Sequence, residues 1–430
     1  MINNNDIHDT RLHSYLRGVI DKLPVNQQIM LKSVRYCGSK IIKDKLTGNG
    51  GVFLLQSNSN NTKFWGTTSC NNTWYCPVCS ARMMSKYASK IASLIEAMYA
   101  VKKQSAFMLT LTLPHHKFNS QEEITEILYQ SWKDFVVHGN TVQKYWKNDV
   151  FANFCQQMNC TQRVRVAEYT YGKSGWHPHF HCLFFVDDSK FNDVHLYEYD
   201  LQRRWEEIVS KNMFKWLKSH NERNVSDEQL KFRIENIWQK CNTGSKAAYI
   251  SKDDNGEIIK QKSSMYICGW GADKELTGNY NRKANANGHY TPYQVLLEAA
   301  DGNEEFEKIY VNFMLTMRKN LHKRVNFSKG AKKIISEWRN TQGFTEYLKK
   351  KQQVAQKENW QILCWFNEEQ WYEICNLDKH FPIKSNILYL ATLPNARDKI
   401  QFYLQYYDIY LITYKHFFEN LILNIFNSAA

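Results

Sequence analysis

Apolar positions recur along this chain with two periods. Ile91, Leu94, Ile95 and Met98 are spaced to line one side of a helix running from about Ala81 to Lys102. Ile124, Ile127, Leu128, Trp132 and Phe135 do the same for a helix from about Gln121 to Val137. Between them Phe107, Leu109, Leu111 and Leu113 alternate with Thr110 and Thr112, the period of two that gives a strand one apolar and one hydroxyl-lined face. Two further strands, over residues 163–170 and from Gly175 to Val186, are joined by Gly172-Lys173-Ser174-Gly175. A short strand at 52–56 lies between turn-rich stretches at 48–51 and 57–61. Helical spacing returns near 201–211, 227–239, 304–320 and 331–353. The first ten residues are polar and expected to fray, and the apolar tail from Ile400 to Phe426 is expected to be packed helix, because Asp408, Lys415 and Glu419 interrupt it as a membrane span. By itself this order of elements predicts an α+β protein.

The second hairpin strand carries unusual chemistry. In His177-Pro178-His179-Phe180-His181 the histidines share one strand face and Phe180 and Cys182 take the other. A single strand histidine is usually a satisfied structural residue. Two neighbours on one face, with His177 as a third, supply half a coordination shell. A turn symmetric about Lys173-Ser174 sets Glu168 opposite His179 and Val166 opposite His181, so Glu168 is the expected oxygen ligand. A register shifted by one residue would turn Glu168 to the opposite face. Two imidazoles, one carboxylate and open positions suit Mg2+ or Mn2+ bound to a phosphate.

Cysteine spacing suggests a second metal. Eleven cysteines without a secretory signal argue for reduced thiols. Cys70-x5-Cys76-x2-Cys79 is spaced for structural Zn2+, and Cys37 is the candidate fourth thiolate. Cys155, Cys160, Cys182, Cys241, Cys268, Cys364 and Cys375 have no ligand spacing and are expected to be small core residues. With 56 Lys plus Arg against 42 Asp plus Glu, the net charge of +14 favours a polyanionic partner. Aromatics such as Trp270, Tyr280, Tyr290 and Tyr293 could stack single-stranded bases, although core packing is the ordinary use of such residues.

Gly175-Trp176-His177-Pro178-His179-Phe180-His181, preceded by Glu168, resembles the signature of the rolling-circle plasmid replication initiators (Rep proteins) of the HUH endonuclease superfamily. Phe107 to His116 resembles the family's first motif, and Ala247-Ala248-Tyr249-Ile250-Ser251-Lys252 its third, the segment holding the nucleophile. The cluster of Cys70, Cys76 and Cys79 resembles that of one branch of these proteins. The motifs stand in family order across roughly residues 30 to 300.

The resemblance implies an HUH core, an antiparallel sheet covered by helices on one side, with the tyrosine on a helix between Lys246 and Lys252. It implies metal-dependent, site-specific nicking of single-stranded DNA at a plasmid origin. A tyrosine would remain on the 5′ end and a 3′-hydroxyl primer would be released, with religation by strand transfer. Tyr249 is the expected nucleophile, with Lys252 steadying the phosphate. Tyr266, ahead of Trp270-Gly271 and Glu275-Leu276-Thr277, is its rival. Ser245 stands where some relatives carry a glutamate that activates water to end replication. The expected divisions are 1–103 with the zinc module, 104–297 as the nickase domain, and 298–430 as a mainly helical region. The implied partners are origin DNA and the host helicase and polymerase, not a membrane, and the implied compartment is the bacterial cytoplasm. Two other functions fit the same motifs less fully: a relaxase or single-tyrosine transposase, and a non-catalytic zinc-containing DNA-binding regulator of copy number.

Overall fold

The computed structural model describes residues 5–43, 50–115, 119–136, 150–220, 226–231, 234–235, 248–253, 255–260, 288–320, 322–346, 349 and 359–411. Among the described residues eight strands are formed, in chain order: β1 (Val52–Ser57), β2 (Thr62–Trp65), β3 (Gln104–Thr112), β4 (Gln162–Gly172), β5 (Gly175–Asp187), β6 (Ala248–Ile250), β7 (Val325–Phe327) and β8 (Trp360–Phe366). They make two antiparallel sheets, β2-β1-β8 and β6-β3-β5-β4-β7, each flanked by helices. The chain divides into two compact units, one of residues 1–83, 296–318 and 349–430, the other of 84–295 and 319–348.

In the second unit the five-stranded sheet is built around the β4–β5 hairpin. Gly172 pairs with Gly175 across the turn, and the register runs unbroken to Gln162 opposite Phe185. Gly175 takes φ of 84°, which a residue without a side chain adopts at little cost. Phe107, Phe180 and Phe184 turn to one face and meet Phe154, Tyr129 and Trp132 from the helices Val150–Gln157 and Gln121–Val136. Trp205, wholly buried on the helix Glu198–His220, donates from its indole to the carbonyl of Thr112 at 2.6 Å and so fixes that helix against the end of β3.

The opposite face is covered as well. Met108, Val164, Val166, Leu183 and Phe185 form a core with Ile91, Leu94, Ile95 and Met98 of the helix Pro77–Lys102 and with Ile334 and Trp338 of the helix Ala331–Arg339. The one-sided layering expected from the motifs is thus corrected. The apolar stripe of the Pro77–Lys102 helix and the late segment 331–339 find their burial on the second face. Beyond that core the same face carries Thr110, Glu168, His179 and His181.

The tyrosine segment is corrected too. Residues 248–250 form a strand rather than a helix, with Tyr249 opposite Thr110. The short Ala-Tyr-Ile run completes an edge of the sheet, where backbone pairing to β3 outweighs helix propensity. Lys246, Ser245, Tyr266, Trp270, Gly271, Tyr280 and the segment 275–277 lie outside the described residues, as do Cys241, Cys268 and His116.

In the first unit β1 is the central strand. Its Val52 and Leu54 pack with Cys364 and Phe366 of β8 and with Trp371, Ile374, Ile387 and Ile400 from the helices Glu368–Leu377, Ile383–Leu390 and Ala396–Gln405. The expectation of fraying over the first ten residues is corrected for residues 5–10, which belong to the helix Asn5–Lys22 that buries Asp9, Leu12 and Leu16; residues 1–4 lie outside the described part. The region after residue 298 is mainly helical, and it also supplies β7 and β8. The helix expected over 331–353 ends at Arg339, where the Thr341 hydroxyl donates to the carbonyl of Trp338 at 2.7 Å. Of the tail expected to be helical from Ile400 to Phe426, only the part up to Gln405 is helical, within Ala396–Gln405; the chain then turns, with Asp408 at φ of 58°, and residues 412–430 fall outside the described part. Among the described residues no helix is long and apolar enough to cross a membrane.

Candidate metal centres

The hairpin register sets Glu168 opposite His179 and Val166 opposite His181, as the turn symmetry predicts. Oε2 of Glu168 lies 3.1 Å from Nε2 of His179 and 2.9 Å from Nε2 of His181, and the two imidazole nitrogens are 3.2 Å apart. All three side chains are largely buried. Burial pushes the Glu168 carboxyl up, but the hydrogen bonds and charge of His179 and His181 outweigh it and hold it well below the usual carboxylate range. Glu168 therefore stays an anion although it is buried. Three donor atoms converging on one point from two paired strands match a two-histidine, one-carboxylate set for a divalent ion.

Around this group lie residues whose partners could not be read from the sequence. The Thr110 hydroxyl is 3.1 Å from Nδ1 of His181, on the far side of the ring from Glu168. This contact fixes which nitrogen faces the carboxylate, the usual task of a residue behind a metal ligand. His177 shares the strand face but stands outside the convergent group. Its ring centroid is 5.5 Å from that of His179 and 4.9 Å from that of His115. Burial, then His179, His115 and His289, hold its imidazole well below its ordinary value, so it is neutral. The signal for His115 was its place just after the Leu111-Thr112-Leu113-Pro114 run; its contact with His177 needs the paired strands.

Of the expected catalytic residues, Tyr249 occupies the register position opposite Thr110, which is itself opposite His181. Lys252 follows at the strand's end, and its ammonium pairs with the Glu198 carboxylate at 2.7 Å. Tyr290 pairs with Tyr171, next to the hairpin turn, through two backbone hydrogen bonds of 2.7 Å each.

The second group lies in the other unit. The sulfurs of Cys37, Cys70, Cys76 and Cys79 come together, with Cys37 and Cys79 Sγ 3.4 Å apart. Cys76 precedes the helix Pro77–Lys102 and Cys79 lies in its first turn. Asn72 accepts from the backbone N–H of Trp74 and Tyr75, shaping the approach. Cys37 arrives from the turn closed by Gly38, whose φ is 70°. The N–H of Cys70 points at Cys37 Sγ and that of Asn72 at Cys70 Sγ, both at 3.4 Å, contacts that favour thiolate. Hydrogen bonding among the thiols, led by Cys70 on Cys37 and by Cys37 on Cys79, pulls Cys37 and Cys79 down. The same bonding raises Cys70, and burial raises Cys76. Four cysteine sulfurs in one compact group fit tetrahedral zinc. Cys160, Cys182, Cys364 and Cys375 are buried singly, as expected of small core residues, and Cys155 is half-buried.

A β-hairpin that brings a carboxylate and two imidazoles together, and a four-cysteine group in the other unit, give the chain two candidate metal centres. Comparison with known proteins narrows the reading. Residues 61–226 match the model of a family described as replication protein. The chain is 24% identical over 218 residues to a Protein rep of Staphylococcus aureus, covering 49% of this chain and 81% of that protein. It is 23% identical over 154 residues to a Protein rep of Streptomyces lividans, covering 32% of this chain and only 33% of that protein. No solved structure matches. The resemblance to Rep replication proteins carried by the motifs is thereby borne out. The matched range contains Cys70, Cys76, Cys79, Glu168 and the three strand histidines, whereas Cys37, Tyr249 and Tyr266 lie beyond it.

Proposed function

We propose that this protein initiates rolling-circle replication of a plasmid by nicking one strand of its origin. The carrying observation is the convergence of Glu168, His179 and His181 within a segment similar to replication proteins. These residues would hold Mg2+ or Mn2+, which when bound polarises a nonbridging phosphate oxygen and offsets the charge developing there. Thr110 keeps the His181 ring oriented. The tyrosine loses its proton and its oxygen attacks phosphorus; the bond to the 3′ oxygen breaks, and that oxygen takes up a proton to become the primer hydroxyl. The 5′ end stays on the protein as a phosphotyrosine, which conserves the bond for religation.

Tyr249 is favoured as nucleophile by its register position, two strands from His181 in one row of the sheet. Lys252 reaches the phosphate by exchanging the Glu198 carboxylate for it, a modest cost because the ammonium is partly solvated. The Cys37, Cys70, Cys76 and Cys79 group would hold zinc as a structural element of a unit that contributes to origin choice. Host helicase and polymerase would extend the primer. A relaxase or transposase would use the same chemistry and is separated by the presence of a cognate replication origin.

The test is incubation of the whole protein with Mn2+ and a fluorescent single-stranded origin oligonucleotide, read by denaturing gel and mass spectrometry. A covalent 5′ adduct abolished by Tyr249→Phe and kept by Tyr266→Phe is expected. Loss only with Tyr266→Phe would move the nucleophile. No adduct on an origin the protein binds would leave a zinc-containing DNA-binding regulator instead.

A further inference from the structure

The β7 edge of the five-stranded sheet carries charge of one sign. Residues 319–336 hold six Lys or Arg and no Asp or Glu. Lys319 and Lys333 pair with Glu122 and Glu337 from outside that stretch. Lys323, Lys329 and Lys332 are exposed and make no ion pair among the described residues. Edge strands are commonly guarded by lysine, and a charge run is usually a solvated face. Three features of this edge go beyond that ordinary use.

First, a cation lies buried behind the exposed ones. Arg165 is 4% exposed, makes no ion pair among the described residues, and sits against the rings of Tyr129, Trp132 and Phe180. Its guanidinium donates to the carbonyl of Lys323 at 2.7 Å, so an uncompensated and poorly screened charge backs the edge. Second, the chain there is fixed before any ligand arrives. The Tyr129 hydroxyl also donates to the Lys323 carbonyl, at 3.4 Å, the His322 ring stacks on Tyr129 at 3.7 Å, and the Arg324 carbonyl accepts from the Ala167 N–H at 2.8 Å. Third, Lys332 and Lys333 stand in the first turn of the helix Ala331–Arg339, which has no acidic residue there and no side-chain cap from Gly330. The helix dipole disfavours cations at that end, and a bound anion reverses the penalty.

Position within the sheet points to the kind of anion. β7 pairs with β4, and Arg324 bonds to Ala167, the neighbour of Glu168. The basic edge is thus two strand spacings, about 10 Å, from His179 and His181 on β5, and it lies at the opposite edge of the sheet from Tyr249 on β6. A DNA strand with one phosphate at the metal ligands and its backbone running across the sheet would reach β7 with the phosphates that follow. We propose that the β7 edge, through Lys323, Lys329 and Lys332, binds the phosphate backbone of the origin strand flanking the nicked position, while Glu168, His179 and His181 serve the reacting phosphate. The choice of DNA rests on the replication function proposed above. Contacts of this kind position the strand, are indifferent to its sequence, and weaken with salt.

The test is an anisotropy titration of the full-length protein with a fluorescent single-stranded oligonucleotide of mixed sequence, at several salt concentrations and with no divalent metal added. Combining Lys323→Ala, Lys329→Ala and Lys332→Ala should lower the slope of log affinity against log salt by about 2 and weaken binding about ten-fold or more. The melting curve and Mn2+ affinity should be unchanged, and arginine at the same three positions should restore the parental slope. A parental slope in the alanine protein, or a parent that does not bind the oligonucleotide, would overturn the basic edge. The 5′ adduct assay on origin DNA would still decide the nickase. Loss of binding to anionic lipid vesicles with DNA binding unchanged would assign the edge to a membrane surface and overturn the proposal as well. A lowered slope in a protein that forms no 5′ adduct would keep the basic edge and remove the nickase.

Discussion

The hydroxyl of Thr110 and Nδ1 of His181 face each other at 3.1 Å across the β3–β5 pairing, on the side of the ring away from Glu168. Thr110→Val keeps the shape and removes the oxygen, leaving Nδ1 without that partner. Mn2+ affinity should fall about 10- to 100-fold with the fold intact, measured by calorimetric titration and circular dichroism. A valine variant that binds Mn2+ like the parent would show that Thr110 has no orienting role.

Zinc content should depend on four cysteines and on no others. Cys37→Ser should lose stoichiometric zinc and lower the melting temperature, whereas Cys182→Ala, at a singly buried thiol, should keep the metal. Elemental analysis of the purified proteins decides it. Full zinc occupancy in Cys37→Ser protein would exclude the long-range fourth ligand.

The charged cluster under the N-terminal helix should be costly to break. Asp378 is buried, accepts from the Ser14 hydroxyl at 2.7 Å and from the backbone N–H of Lys384 at 2.9 Å, and faces buried Arg17 at 3.6 Å and Lys384 at 3.7 Å. Asp378→Ala leaves two buried cations uncompensated and should destabilise by about 3–5 kcal/mol in denaturant titrations. A loss well below 1 kcal/mol would mean that the cluster relaxes into solvent.

Stability of the same unit should fall with acid through His13. This buried imidazole donates to the carbonyl of Val34, and burial followed by the charges of Arg17 and Lys384 lowers its pKa from 6.5 to about 3. The unfolded chain therefore binds a proton that the folded chain refuses. The stabilisation is complete above about pH 6.5 and is lost on acidification towards pH 3, at up to about 1.4 kcal/mol per pH unit. Asp378, raised mainly by burial, works in the opposite direction, so the measurement is the difference between the parent and His13→Gln. Equal pH slopes for the two proteins would refute the assignment.

Much of the candidate centre was legible because a hairpin is local. His179 is eleven positions after Glu168, and the Gly-rich turn between them fixes which pairs oppose. The alternation of Thr110 with Leu109 and Leu111 likewise announced a hydroxyl-lined strand face. The resemblance implied a helix at Tyr249, and only pairing to β3, about 140 residues earlier in sequence, makes it a strand. β7 and β8 were missed for a related reason. Val325–Phe327 has three residues, and Trp360–Phe366 reads as a short apolar run that becomes a strand only where β1 offers its edge. Cys37 could be named without knowing the fold because thiol chemistry left a fourth position to fill.

The pairing of Val52 with Phe366 also governs how the molecule is made. During synthesis the ribosome releases the cysteine loop and the whole histidine hairpin before it releases β8. The nascent chain must therefore carry β1 with one edge and one apolar face unfilled while some 300 residues are added. The histidine hairpin, being local, can close early, whereas the tryptophan-bearing sheet is assembled last, once the chain has grown past Phe366.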